Sequence, residues 1–379
     1  MGLCPWDHDV PQLPAHSASL SLASAASQTA VSLPPILTMP SLRPGAAVAN
    51  SQVRAATAPT VLPLRTERAG WSLAAQLFVP AHVGEPGTEA PRGLLVAGHA
   101  MMVDHRTLWR ADRPSVVGAL LDAGFAVLVV DLRGHGQSGP TPSRGGTWRY
   151  TDLVDDTGSW LDLANSVRQK WGSDVPLAWL GHSLFGHVSL AYFSEHPIQQ
   201  PDAYVALAVN VWNRKFEFHP VRWQVKRGVM TAATVLANVR GKMPARRLRI
   251  GNQDEALGYW NDMFHMATRH GWTLPGRGDW HAGLARLTLP VLVVSSDGDQ
   301  WFTHPHDADV FSAPLPNRLV WRLGPTCAEP SLRHLQPSHM GLVTSPASSP
   351  LWQAMARWLL VTLAPQTPSQ THATAPLPP

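Results

Sequence analysis

Ser183 is the side chain in this sequence best placed to act as a nucleophile. It lies in "LAWLGHSLFGHVSLA", residues 177–191, where an apolar run ends in Gly-His-Ser and a second apolar run follows. That pattern predicts a strand, a tight turn presenting the serine, and a helix, the G-x-S-x-G arrangement of a nucleophile turn. Serine is a poor nucleophile until a base takes its proton, an acid orients that base, and N–H donors receive the developing oxyanion. When a serine sits on such a turn, the acid and then the base follow it in the chain. The acid candidate is Asp299 in "PVLVVSSDGDQWFTHP", because a short turn brings its last residue back over the strand end. Asp297 is expected to make a local turn hydrogen bond instead. The base candidate is His339 in "LQPSHMGLV", with His334 in reserve, while His304 and His306 read as solvated loop residues. The oxyanion donors would be the backbone N–H of Leu184 and that of His99 or Ala100, in "LLVAGHAMMVDH". Met101 and Met102 in the same loop read as lining for an apolar acyl site or as core.

Gly181 and Ser183 fit the turn pattern, but Phe185 stands where its closing glycine belongs and Gly186 comes one residue late. A strained nucleophile turn needs small neighbours two residues before and two after the serine. The Phe185 ring must therefore enter the helix–sheet packing or point up into the substrate pocket, and the pattern leaves both directions open.

The elements that position these residues alternate between strand and helix. "VLPLRT" and "WSLAAQLFVP" read as a strand pair around Gly70. Short apolar runs at 93–98, 125–131, 176–181, 203–210, 289–296 and 318–324 read as further strands. Residues 114–123, 152–171 and 350–363 suit helices, and another follows Ser183. Apolar strands separated by helices imply an α/β fold with a mostly parallel sheet covered on both faces. A Trp-rich and Arg-rich insertion, about 211–286, interrupts the alternation. It is expected to form a helical cap over the carboxyl ends of the strands, where open α/β sheets bind ligands. Residues 1–58 are read as a disordered Ala/Ser/Pro-rich leader, 59–364 as the folded domain and 365–379 as a Pro-rich tail.

With the residues in this order, the chain from about Val61 to Leu363 resembles the α/β-hydrolases. "DLRGHGQSG" at 131–139 is similar to their D-x-R-G-x-G-x-S turn, and "GHS", "SSDGD" and "SHMG" follow in the family's order. The general look is that of the serine-aminopeptidase and monoacylglycerol-lipase branch, and of bacterial members with "GHAMMVD"-like loops. The resemblance implies Ser183 as nucleophile, Asp299 as acid, His339 as base, and the His99 and Leu184 N–H groups as oxyanion donors. Family members usually have His-Gly at the end of the first parallel strand, where Ala97-Gly98 stands here. "GHGQSG" also matches G-x-G-x-x-G, but Pro140 and Pro142 follow where a dinucleotide site needs a helix.

Composition narrows the remaining classes. The 379 residues carry 30 Lys and Arg against 26 Asp and Glu, a net charge of +4, with no basic run that would suit nucleic acid. Two cysteines, Cys4 and Cys327, give neither a disulfide scaffold nor metal-ligand spacing, and no cofactor motif is present. No apolar stretch is long enough to span a bilayer. The N-terminal residues do not read as a signal peptide, so a cytoplasmic location is the default. Quaternary state leaves no signal in the sequence. The leading expectation is a serine hydrolase acting on an ester, thioester or amide of a small acyl compound. The alternative is a catalytically silent relative that binds a small molecule or a protein.

Overall fold

The computed structural model describes residues 58–83, 90–269 and 271–365. The expected leader and tail lie, but for Ala58 and Pro365, outside the described residues. Eight strands form one sheet: β1 (Thr60–Arg68), β2 (Trp71–Val79), β3 (Leu94–Gly98), β4 (Ala126–Val130), β5 (Leu177–His182), β6 (Ala203–Leu207), β7 (Val291–Ser296) and β8 (Arg318–Leu323). Their spatial order is β1-β2-β4-β3-β5-β6-β7-β8. β2 runs antiparallel to both β1 and β4, and every other pairing is parallel.

The apolar runs bury both faces because successive strand residues point to opposite sides. Leu94 and Val96 of β3 join one core, and Leu95 and Ala97 join the other. Val291 and Val293 of β7 divide from Leu292 and Val294 in the same way. Helices α1 (Val116–Asp122) and α7 (Ser349–Thr362) cover one face. Helices α2 (Tyr150–Arg168) and α3 (Leu184–Glu195) cover the other. Register sets the site: Gly98, the last residue of β3, pairs with Gly181 of β5, so the loop after β3 starts beside the turn at Ser183.

Between β6 and β7 the chain builds α4 (Pro220–Arg240), a two-residue ribbon pairing Lys242–Met243 with Glu255–Ala256, and α5 (Leu257–Thr268). Trp223, Trp260, Trp272 and Trp280 of this insertion are buried, and Trp272 and Trp280 seat it on the α/β core, donating to Tyr150 (2.9 Å) and Glu195 (2.6 Å). The insertion touches the loops at the carboxyl ends of the strands. Glu255 meets the loop after β3, and the indole of Trp212 donates to the carbonyl of Phe302 after β7 (2.9 Å). Among the described residues no helix is long and apolar enough to cross a membrane.

Candidate active site

Ser183 joins β5 to α3 with φ 52° and ψ −112°, a conformation that costs a non-glycine residue about 1–3 kcal/mol unless its surroundings impose it. Those surroundings are visible. The Ser183 N–H donates to the Leu207 carbonyl (3.0 Å), and the Ser183 carbonyl accepts from the His187 N–H (3.1 Å). Across the turn, a Cβ on Gly181 would lie 2.3 Å from the Gly186 Cα. The close approach across this turn is therefore between Gly181 and the displaced glycine, Gly186. From Leu177 to Ser194, Ser183 alone is not buried.

Phe185 goes into the helix–sheet packing. Its ring is fully buried, lies nearly parallel to Trp179 of β5 (5.6 Å between centroids, 10°), and covers Gly98. A Cβ on Gly98 would stand 2.1 Å from the Phe185 Cγ, so the ring occupies space that only a glycine leaves. This corrects the reading of Phe185 as a candidate for the substrate pocket: its apolar surface is satisfied beneath the turn.

The loop after β7 presents Asp299 to His339. His339 Nδ1 donates to Asp299 Oδ2 at 2.7 Å, which leaves Nε2 as the acceptor of the imidazole. Asp299 also accepts from the N–H groups of Phe302 (3.0 Å) and Thr303 (3.1 Å). Burial alone would raise the carboxyl's pKa. The bond and charge of His339, together with these two N–H groups, outweigh it and hold the carboxyl below its ordinary value. The two loops are tied by Ser296 Oγ, which donates to the Pro337 carbonyl (2.6 Å). Asp297 pairs with Arg322 of the neighbouring strand (2.6 Å), an inter-strand contact rather than the expected local turn bond. His334 is exposed. His304 is not a solvated loop residue: it is half-buried and caps α6 (Pro305–Ser312), accepting from the His306 N–H. The His306 ring lies against Phe218, tilted by 38° with centroids 4.4 Å apart.

His182, the residue before Ser183, ends β5. Its ring lies 5.1 Å from that of His339, and its Nε2 donates to the His339 carbonyl (3.2 Å). Burial, and then the nearby His339 ring, push its pKa well below the ordinary value, so it stays neutral. The Ser183 turn and the His339 loop therefore meet at one end of the sheet. Ser183 Oγ makes no hydrogen bond among the described residues, and such contacts are often long before substrate binds.

The His99 ring points away from this meeting point. Its Nε2 accepts from the Leu132 N–H (3.1 Å), so Nδ1 carries the proton toward the Ala100 carbonyl (2.8 Å). Burial, with the nearby His135, lowers its pKa to about 4 against the pull of Asp131. The His99 carbonyl accepts from the Phe185 N–H (3.3 Å), which ties the loop to the start of α3. Among the described residues the Leu184 N–H, at the first position of α3, donates to no protein group.

The loop is also gripped from above. Met102 is buried with φ 60°, its N–H donates to Glu255 Oε1 (2.7 Å), and its carbonyl accepts from the N–H groups of Asn252 and Gln253 (2.9 Å each). Glu255 Oε1 lies 3.0 Å from His135 Nε2, in the "DLRGHGQSG" turn. In that turn the Asp131 carboxylate accepts from His105 Nδ1 (2.9 Å) and the Gln137 N–H (2.9 Å). Met101 is half-buried against the core. No group of three metal-ligating side chains occurs among the described residues.

The strand order, the turn at Ser183 and the two covered sheet faces define an α/β-hydrolase. Residues 90–315 match the family described as serine aminopeptidase, S33, and the chain belongs to that family of hydrolases. A comparison with curated proteins gives no match. Similar solved structures include a soluble variant of monoglyceride lipase from Saccharomyces cerevisiae in complex with a substrate analog. It has 15% identity and a TM-score of 0.56, over 83% of this chain and 99% of that one. Est1E from Butyrivibrio proteoclasticus with ferulic acid bound is 16% identical, with a TM-score of 0.52 over 79% of this chain and 99% of that one. At these identities the likeness is one of fold.

Proposed function

We propose that this protein is a serine hydrolase that cleaves a carboxylic ester of a small, largely apolar acyl compound through an acyl-enzyme. The observation that carries the reading is the strained, accessible Ser183 at the same sheet end as the hydrogen-bonded Asp299–His339 pair. His339 Nε2 takes the Ser183 proton as Oγ attacks the acyl carbon. The N–H groups of His99 and Leu184 receive the oxyanion, and Asp299 steadies the imidazolium. His339 then protonates the leaving alcohol, and a water activated by the same ring releases the acid. Thioesters and amides would use the same residues, but esters need the least help to the leaving group. Phe302, 49% exposed and 5.1 Å from the His339 ring, stacks with Trp212 and offers an apolar wall. Met101 is the candidate on the opposite, oxyanion side. In this reading 59–364 is the working domain and 211–286 its cap.

The missing Ser183 Oγ bond favours one competitor, a silent fold that binds without turnover. Labelling with a fluorophosphonate separates the two. Strong labelling, lost in Ser183→Ala and in His339→Ala, is expected for the enzyme. A well-folded wild type that takes no label would sink the proposal.

A further inference from the structure

The outer face of α4 is unlike a solvated helix surface. Its packed face carries Trp223, Lys226, Met230 and Ala237. At about 100° per residue, Val221, Val225, Val229, Val235 and Val239 fall on the opposite side. These five are between 49% and 76% exposed. Gly228 and Ala232 lie in the same stripe and are also exposed. Valine is a weaker helix former than Ala, Glu or Lys, so a solvated helix gains nothing from it there. A helix apolar on two faces is ordinarily buried on both.

Charge is concentrated beside this stripe. Residues 211–286 hold thirteen Lys and Arg against five Asp and Glu, a net charge of +8, so the rest of the +4 chain carries −4. At the carboxyl end of α4, next to Val239, Arg240, Lys242, Arg246 and Arg247 line an open pocket of about 520 Å³ with Asp254. Asp254 pairs with Lys242 (2.8 Å) and accepts from the Arg246 backbone N–H (3.0 Å), while among the described residues the guanidinium groups of the three arginines make no salt bridge. Leu248 and Ile250, beside those arginines in the chain, are exposed as well.

We propose that this outer face of the cap docks onto an anionic lipid surface, with the valine stripe entering the headgroup boundary and the arginine pocket receiving lipid phosphates. An exposed apolar stripe flanked by cations is the arrangement that lies in such an interface. A second copy of the chain would bring the same arginine-lined pocket against this one. A nucleic acid would match the arginines and leave the valines in water. The proposal is independent of the chemistry at Ser183.

The test is co-sedimentation of the full chain with phosphatidylglycerol/phosphatidylcholine vesicles and with pure phosphatidylcholine vesicles, at low and high salt. Binding to the anionic vesicles is expected, weakening with salt. It should fall at least about tenfold in Arg246→Glu/Arg247→Glu and in Val225→Glu/Val229→Glu, with unchanged circular dichroism. Binding to neither vesicle would overturn the proposal. So would valine variants that bind as well as wild type, or a wild-type dimer in light scattering that those variants convert to monomer.

Discussion

Gly98→Ala is a small change whose cost follows from one contact. The new methyl would stand 2.1 Å from Cγ, 2.3 Å from Cδ1 and 2.5 Å from Cδ2 of Phe185. Ordinary carbon–carbon contact is about 3.5–4.0 Å, so the ring must retreat by roughly 1.4 Å or more. It has nowhere open to go, because it is fully buried and stacked on Trp179. Overpacking of this kind costs about 1–3 kcal/mol, and a collision with a ring centre belongs at the upper end. Phe185→Ala alone should cost about 3–5 kcal/mol through the cavity and the lost stack. In the double variant the Gly98 methyl enters the space the ring vacated, so it should cost nothing further. The two substitutions should therefore couple by about 2–3 kcal/mol. Urea unfolding of wild type, both single variants and the double variant measures this directly. Gly98→Ala should also slow fluorophosphonate labelling, because the Phe185 N–H is bonded to His99 in the loop proposed to receive the oxyanion. If the costs simply add within about 0.5 kcal/mol, the argument that Phe185 fills the room left by Gly98 is wrong.

Three further outcomes are expected. Asp299→Asn should lower the labelling rate by about 10⁴-fold, since an amide donor facing His339 Nδ1 favours the wrong tautomer; a loss below tenfold would remove Asp299 from its role. Glu255→Ala should cost about 3–5 kcal/mol in urea unfolding, because it strips the partner from buried His135 and from the Met102 N–H. A cost under 1 kcal/mol would show that the cap does not grip the loop through this residue. His99 has a folded pKa of about 4 against an ordinary 6.5, so between those values the unfolded chain binds the extra proton. Stability should then fall as pH drops from about 6.5 to 4, and His99→Gln should flatten that slope by up to about 1.4 kcal/mol per pH unit. An unchanged slope would contradict a neutral, buried His99.

Local chemistry made much of the molecule legible in advance. The apolar runs became strands because period-two burial against two layers of helices leaves no other use for them. Their alternation with helices gave the parallel sheet. The Gly181–Ser183 turn, and the order in which Ser183, Asp299 and His339 follow one another, depend on spacing along the chain, which sequence records.

Other features depend on which distant segments the fold brings together. The direction of the Phe185 ring was decided by the β3–β5 register, which sets Gly98 beside Gly181 and leaves a Cβ-sized space under the ring. His182 reaches the His339 carbonyl across 157 residues, and Glu255 reaches Met102 across 153. No local pattern marks either pair: a buried histidine in a strand reads as core, and a single glutamate in a basic insertion reads as solvated. The kinds of element, and the order of Ser183, Asp299 and His339 along them, are written in the chain because they follow from nearest-neighbour geometry. The side chains that support them come from distant segments, because hydrogen bonds and ring contacts form only after strand order and cap docking have set the distances.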